Sequence, residues 1–131
     1  SIVGPIEEFT VSAKAATPQQ LDGQYDVILL CTKAQHTEEA TNALLPHLSN
    51  DGFVMSVQNG LNELIIKEIV GEERTVGAFV NFGADYHEPG KIFYGGRGAV
   101  VLGELDGSIT DRLKMMESVF LKFDKNSPYI V

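Results

Sequence analysis

The segment Asp26-Val27-Ile28-Leu29-Leu30-Cys31 is apolar at every position after its aspartate. A strand with one wet face alternates polar and apolar residues. An unbroken apolar run instead predicts a strand covered on both faces, as in a parallel sheet. Phe53-Val54-Met55-Ser56-Val57 is a second run of this kind, and Thr75-Val76-Gly77-Ala78-Phe79-Val80-Asn81-Phe82 is a third long strand candidate. Between the first two lies Thr37-Glu38-Glu39-Ala40, a capping threonine followed by two acids where a helix dipole favours them. Ala40, Ala43, Leu44 and Leu48 supply its apolar stripe, and Pro46 must kink or end it. Asn50-Asp51-Gly52 turns the chain. After the second strand, Leu61, Leu64, Ile65 and Ile69 recur at helical spacing, with Gly71 placed as a C-cap. Strand, helix, strand, helix, strand is the rhythm of a layered α/β domain with right-handed crossovers.

The flanks add smaller elements. Ile2-Val3-Gly4-Pro5-Ile6 and Phe9-Thr10-Val11-Ser12 read as two short strands joined by an acidic turn, and Thr17-Pro18 as a helix start. Lys91-Ile92-Phe93-Tyr94 and Ala99-Val100-Val101-Leu102 flank Gly95-Gly96-Arg97-Gly98, which predicts a hairpin. Ser108-Ile109-Thr110-Asp111 is a capping box opening a helix whose apolar face is Ile109, Leu113, Met116, Val119 and Phe120.

Composition narrows the function. The 131 residues suit one domain. A net charge of −8 opposes a phosphate backbone and argues against nucleic acid as partner. No apolar run is long enough for a membrane-spanning helix. The single Cys31 permits no internal disulfide and fits a reducing cytoplasm. Within an apolar strand it reads as a buried small hydrophobe, not a nucleophile. His36, His47 and His87 lack ligand spacing, so no metal is expected. Glu104 and Asp106 flank a turn and read as solvated loop acids.

Ligands of parallel α/β sheets bind beyond the carboxyl ends of the strands. Those ends carry Thr32-Lys33, Gln58-Asn59-Gly60 and Asn81-Phe82-Gly83-Ala84. Lys33 can offer an ammonium to a phosphate or ribose hydroxyl; leaving the core for solvent is its simpler account. Asn59-Gly60 can offer an amide and a close backbone approach, yet Asn-Gly also serves as a plain strand-to-helix turn. Gly83-Ala84 carries the same two readings. Gly95-Gly96-Arg97-Gly98 lies between two strands, the wrong context for a dinucleotide loop.

Four segments, in register over nearly all of the chain, carry a resemblance: Cys31-Thr32-Lys33-Ala34-Gln35; Val57-Gln58-Asn59-Gly60-Leu61-Asn62-Glu63; Gly83-Ala84 with Pro89-Gly90; and Val101-Leu102-Gly103-Glu104. In order and spacing they resemble the ketopantoate reductase family, NADPH-dependent 2-dehydropantoate 2-reductases. The resemblance implies an α/β, Rossmann-type parallel sheet with flanking helices and a β-hairpin, lacking its first βαβ unit. Residues 1–131 would then be a partial dinucleotide-binding domain. The glycine-rich phosphate loop would lie upstream, and a helical domain with the catalytic lysine would follow Val131. By the same resemblance Lys33, Asn59 and the backbone at Ala84 contact NADPH, and Asn59 also contacts the substrate. No catalytic role passes to Lys122 or Lys125, and Asn62 departs from a position where many relatives have glycine.

The expected function is that of a fragment of an NADPH-dependent 2-oxoacid reductase, converting ketopantoate to pantoate on the way to pantothenate and coenzyme A. Alone, the fragment is expected to be inactive. The alternatives are a non-catalytic nucleotide-binding or regulatory α/β module, or a structural domain without a ligand. A strand Asp26 to Cys31 without its neighbour would leave an edge open to pairing with a second copy.

Overall fold

The computed structural model describes residues 1–125 and 128–131. Its main sheet has five strands, in the spatial order β2 (Tyr25–Leu30), β3 (Leu48–Val57), β4 (Thr75–Val80), β7 (Val100–Glu104) and β8 (Pro128–Ile130). β2, β3 and β4 are parallel neighbours, β7 is antiparallel to β4, and β8 runs parallel to β7. The helices α1 (Thr37–Leu44) and α2 (Glu63–Val70) are the two crossovers. A smaller sheet has the order β1 (Ile2–Val3), β6 (Lys91–Gly96), β5 (Gly83–Glu88).

Side chains alternate across β3, and each face meets a different layer. Val54 joins Leu30, Leu48, Ile66 and Val70 beneath α1 and α2. Phe53 and Met55 join Val76, Ala78, Val100 and Leu102 beneath α3 (Asp111–Phe123), which contributes Leu113 and Met116. Met55, Ile66, Leu102 and Leu113 are fully buried. Each such side chain contributes about 1.5–3 kcal/mol of transfer free energy, so two-sided burial of β3 anchors the sheet.

Several expectations need correction. β2 is not fully covered on both faces: it is the edge strand, and although Val27 packs against the core beneath α3, Leu29 is 43% exposed. Cys31, just past that edge, is exposed and not buried. In α2 the inward face is Asn62, Ile66 and Val70, whereas Leu61, Leu64 and Ile65 point to solvent and Ile69 is only partly buried. The helix begins at Glu63, which puts Leu61 in the preceding turn. In α3 the N-cap is Thr110, whose side chain accepts from the Leu113 amide; Ile109 and Val119 are exposed.

The hairpin around Gly95-Gly98 does not form. β6 instead pairs with β5 across the turn at Pro89-Gly90, where Gly90 takes a φ of +78° that glycine adopts without penalty. Gly98 then carries the chain from the small sheet to β7, pressed against Asn81 so closely that a Cβ there would stand 2.6 Å from the Asn81 carbonyl. The Asn81 side chain clips this crossing, its Oδ1 accepting from Ala99 N at 2.5 Å. At the N-terminus only Ile2–Val3 is a strand, parallel to β6; Phe9 adds a single bridge to Ile2, and Pro18–Gln20 is one 3-10 turn.

Candidate functional site

The carboxyl ends of β2, β3 and β4 lie side by side, because the three strands are consecutive parallel neighbours. Lys33 follows β2, Asn59 follows β3, and Ala84 lies four residues beyond Val80, the end of β4. All three residues are exposed. Neither Lys33 nor the side-chain amide of Asn59 has an ion-pair or hydrogen-bond partner among the described residues, so both remain available to a ligand. Gly60, with φ +100°, turns the chain behind Asn59 without a side chain in the way. Ala84 is the second residue of β5, at an irregularity: Gly83 faces Gly96 and Ala84 faces Tyr94, leaving Gly95 as the extra residue of a bulge. Bulges of this kind re-aim the backbone beside functional sites.

Beneath the exposed rim runs a buried polar chain that the sequence reading did not identify. Ser56 Oγ donates to Gln58 Oε1 at 3.1 Å, and Gln58 Nε2 donates to Thr37 Oγ1 at 3.0 Å. Thr37 Oγ1 donates to Asn62 Oδ1 at 3.0 Å, and Asn62 Nδ2 donates to the Asn59 carbonyl at 2.8 Å. A branch from Gln58 Nε2 reaches the Thr32 carbonyl at 2.7 Å. None of these four side-chain-bearing residues is more than 5% exposed. Buried polar groups are costly unless bonded, and here the bonds all run in one direction and polarise one another. The loop carrying Lys33 and the loop carrying Asn59 are therefore tied through the first residue of α1. Asn62, the departure noted above, fills its place with two good bonds. A visible signal was the strand alternation, which puts Gln58 on the same face as Ser56 and Val54.

Other groups belong to the support of the sheet. Glu104 is not a solvated loop acid: its side chain is 5% exposed and Arg112 Nη2 donates to it at 2.6 Å, with Nε at 2.7 Å. Burial alone would raise its pKa, but hydrogen bonds from Arg112 and Thr110 outweigh that and hold the carboxyl below the usual glutamate range. Asp106 is the exposed partner of the Ser108 amide. Partial burial pushes the Cys31 thiol up, so it is a poor nucleophile despite its exposure. An apolar groove of about 450 Å³ runs along the free edge of β2, lined by Leu21, Ile28, Leu30, Ala40 and Leu44 among others.

Three consecutive parallel strands, crossover helices and a polar carboxyl-end rim define a Rossmann-type α/β protein. Comparison with known proteins narrows this class. The family described as ketopantoate reductase PanE/ApbA matches residues 1–107, and the chain belongs to that family. The 2-dehydropantoate 2-reductase of Pyrococcus horikoshii is 38% identical over 79 residues, covering 60% of this chain and 25% of that protein. The one from Aquifex aeolicus is 29% identical over 117 residues, covering 86% of this chain and 38% of its own length. The chain thus spans well under half of these relatives. Among solved structures, the 2-dehydropantoate 2-reductase of Geobacter metallireducens superposes with a TM-score of 0.84 at 22% identity, over 99% of this chain and 44% of that one. A ternary structure of D-mandelate dehydrogenase with NADH and anilino(oxo)acetate superposes at 0.70 with 21% identity, over 87% of this chain and 37% of that one. These superpositions share the fold.

Proposed function

We propose that residues 1–131 form part of the cofactor domain of an NADPH-dependent 2-oxoacid reductase, with ketopantoate as substrate. The observation that carries this reading is the family match over residues 1–107 together with the rim it contains, where Lys33, Asn59 and Ala84 follow three adjacent strand ends.

The donor set suits a nicotinamide dinucleotide. Lys33 brings a cation with three donors for a phosphate or ribose oxygen. The Asn59 amide can donate to one partner and accept from another, which suits a place between cofactor and substrate. The backbone at Ala84, near the start of β5 beside the bulge at Gly95, where only a methyl side chain stands, can approach a flat ring closely. When bound, NADPH supplies the hydride for the ketone carbon. The chain's own residues hold and orient: Lys33 fixes the cofactor, Asn59 aligns the two reactants, and the sheet keeps the rim rigid. The proton for the developing alkoxide is not assigned to any residue within 1–131. The free edge of β2 is the proposed place for a further strand, from the same polypeptide or from a second copy. A cytoplasmic location belongs to the same reading; among the described residues no helix is long and apolar enough to cross a membrane.

The test is an assay of the full-length gene product with NADPH and ketopantoate, following nicotinamide absorbance. Asn59→Ala removes one or two neutral hydrogen bonds, so kcat/KM should fall by about ten- to a hundredfold. Lys33→Ala should chiefly weaken NADPH binding. Wild-type kinetics in both variants would refute the assignment.

A further inference from the structure

We infer that Thr37 and Asn62 are positioning residues that hold the Asn59 amide in register with the Lys33 loop, acting through the buried hydrogen-bond chain and touching neither reactant. The inference rests on the reading of the rim given above. Its support is the geometry of one hydroxyl. Thr37 Oγ1 has a single proton, which it gives to Asn62 Oδ1 at 3.0 Å, while the same oxygen accepts from Gln58 Nε2 at 3.0 Å. This arrangement settles which end of each amide is the donor. Gln58 then has its NH2 free for the Thr32 carbonyl, one residue before Lys33, and Asn62 has its NH2 free for the Asn59 carbonyl. Both functional loops thus hang on one fully buried side chain.

Thr37 is in turn locked to its own helix. Thr41 Oγ1, also fully buried, donates to the Thr37 carbonyl at 2.6 Å. The first turn of α1 therefore acts as a fixed post between the two loops. Gly60, directly after Asn59, is an otherwise soft point: its φ of +100° is open to glycine in several basins. The Asn62 Nδ2 bond to the Asn59 carbonyl at 2.8 Å restrains this point, and its loss would let the amide sample more orientations. A reaction that needs a reactant aligned to a fraction of an ångström loses rate when its aligning group wanders, even if the fold persists.

The experiment is a double-mutant cycle in the full-length gene product. Thr37→Val keeps the shape and deletes the hydroxyl. It should lower kcat/KM about tenfold, as expected when an interaction realised at the reacting groups is lost, and Thr37→Ser should restore it to within about twofold. In an Asn59→Ala background, where the positioned amide is gone, Thr37→Val should cost less than about threefold further. Urea midpoints are recorded for every variant. If Thr37→Val does not fold, Asn62→Ala, which breaks only the last two bonds of the chain, takes its place in the cycle. A full effect of Asn59→Ala with no effect of Thr37→Val overturns the inference while leaving the functional reading intact. An equal loss from Thr37→Val in both backgrounds also overturns it, since that marks general damage. No effect of Asn59→Ala removes the functional reading and this inference with it.

Discussion

Replacing Gln58 with leucine tests whether the polar chain under the rim stabilises the fold as well as shaping it. Leucine matches the volume of glutamine closely but removes every polar contact. Three of those contacts lie within 3.1 Å: the donor bonds to the Thr32 carbonyl and Thr37 Oγ1, and the bond accepted from Ser56 Oγ. At about 1 kcal/mol net for each bond, the loss is about 3 kcal/mol. Ser56 and Thr37 are fully buried and have no water to turn to, so the cost should not fall below this sum. Glutamine pays some desolvation that leucine would recover, which keeps the figure from rising much higher. With a urea m-value of about 1–3 kcal/mol/M, the unfolding midpoint should drop by about 1.5 M. The assay is equilibrium urea unfolding of the 131-residue chain, followed by far-UV circular dichroism. A drop below about 0.3 M with an unchanged slope would mean that the chain of bonds contributes almost nothing, and the reasoning would fail.

Three further outcomes follow from the packing. Ile66→Ala, at a fully buried site between α2 and the sheet, should cost about 2–5 kcal/mol, read from the same unfolding curves. Gly98→Ala drives a Cβ into the Asn81 backbone, so it should destabilise by about 2 kcal/mol or more, whereas Gly107→Ala, whose surroundings are empty, suffers only from its φ of +76° and should do less harm. Glu104 has its folded pKa depressed by Arg112 and Thr110. Its contribution is therefore fully present above the ordinary glutamate range and is lost as pH falls through the lower folded value. Stability of Glu104→Gln should accordingly be lower than wild type near neutrality and converge with it in acid, and parallel pH profiles would contradict this.

The parallel core was legible because it is written in local terms. Apolar runs marked the strands around Ile28 and Val54, and Gly71 marked a helix end. Thr37, read as a cap, is instead the first residue of α1 after an N-cap at His36, and its hydroxyl donates to Asn62. What escaped depends on partners distant in sequence. Gly95-Gly98 has the composition of a hairpin turn, and only the pairing of β6 with β5 and β1 shows that it is a crossing between sheets. The apolar residues of α2 surround more than half of the helix, so periodicity alone selected Leu64 and Ile65 when the sheet takes Ile66 and Val70. Glu104 reads as a surface acid until Arg112, eight residues on, is seen to close over it. The adjacency of the strand ends that precede Lys33, Asn59 and Ala84 followed from the strand order, but the polar chain beneath them did not. Thr37, Gln58 and Asn62 are residue types usually met at the surface, and their burial becomes visible only when the start of α1 and the connection from β3 to α2 are brought together.

The central claim is that the rim formed by the carboxyl ends of β2, β3 and β4 receives the nicotinamide cofactor. Amide hydrogen exchange of the full-length gene product, with and without saturating NADPH, measures this directly. Exchange should slow in the segments around Lys33, Asn59–Gly60 and Gly83–Ala84, with little change in α3. Lys33→Ala should raise the NADPH concentration needed for that protection. Protection confined to other surfaces, or none at these three segments under saturating cofactor, would contradict it.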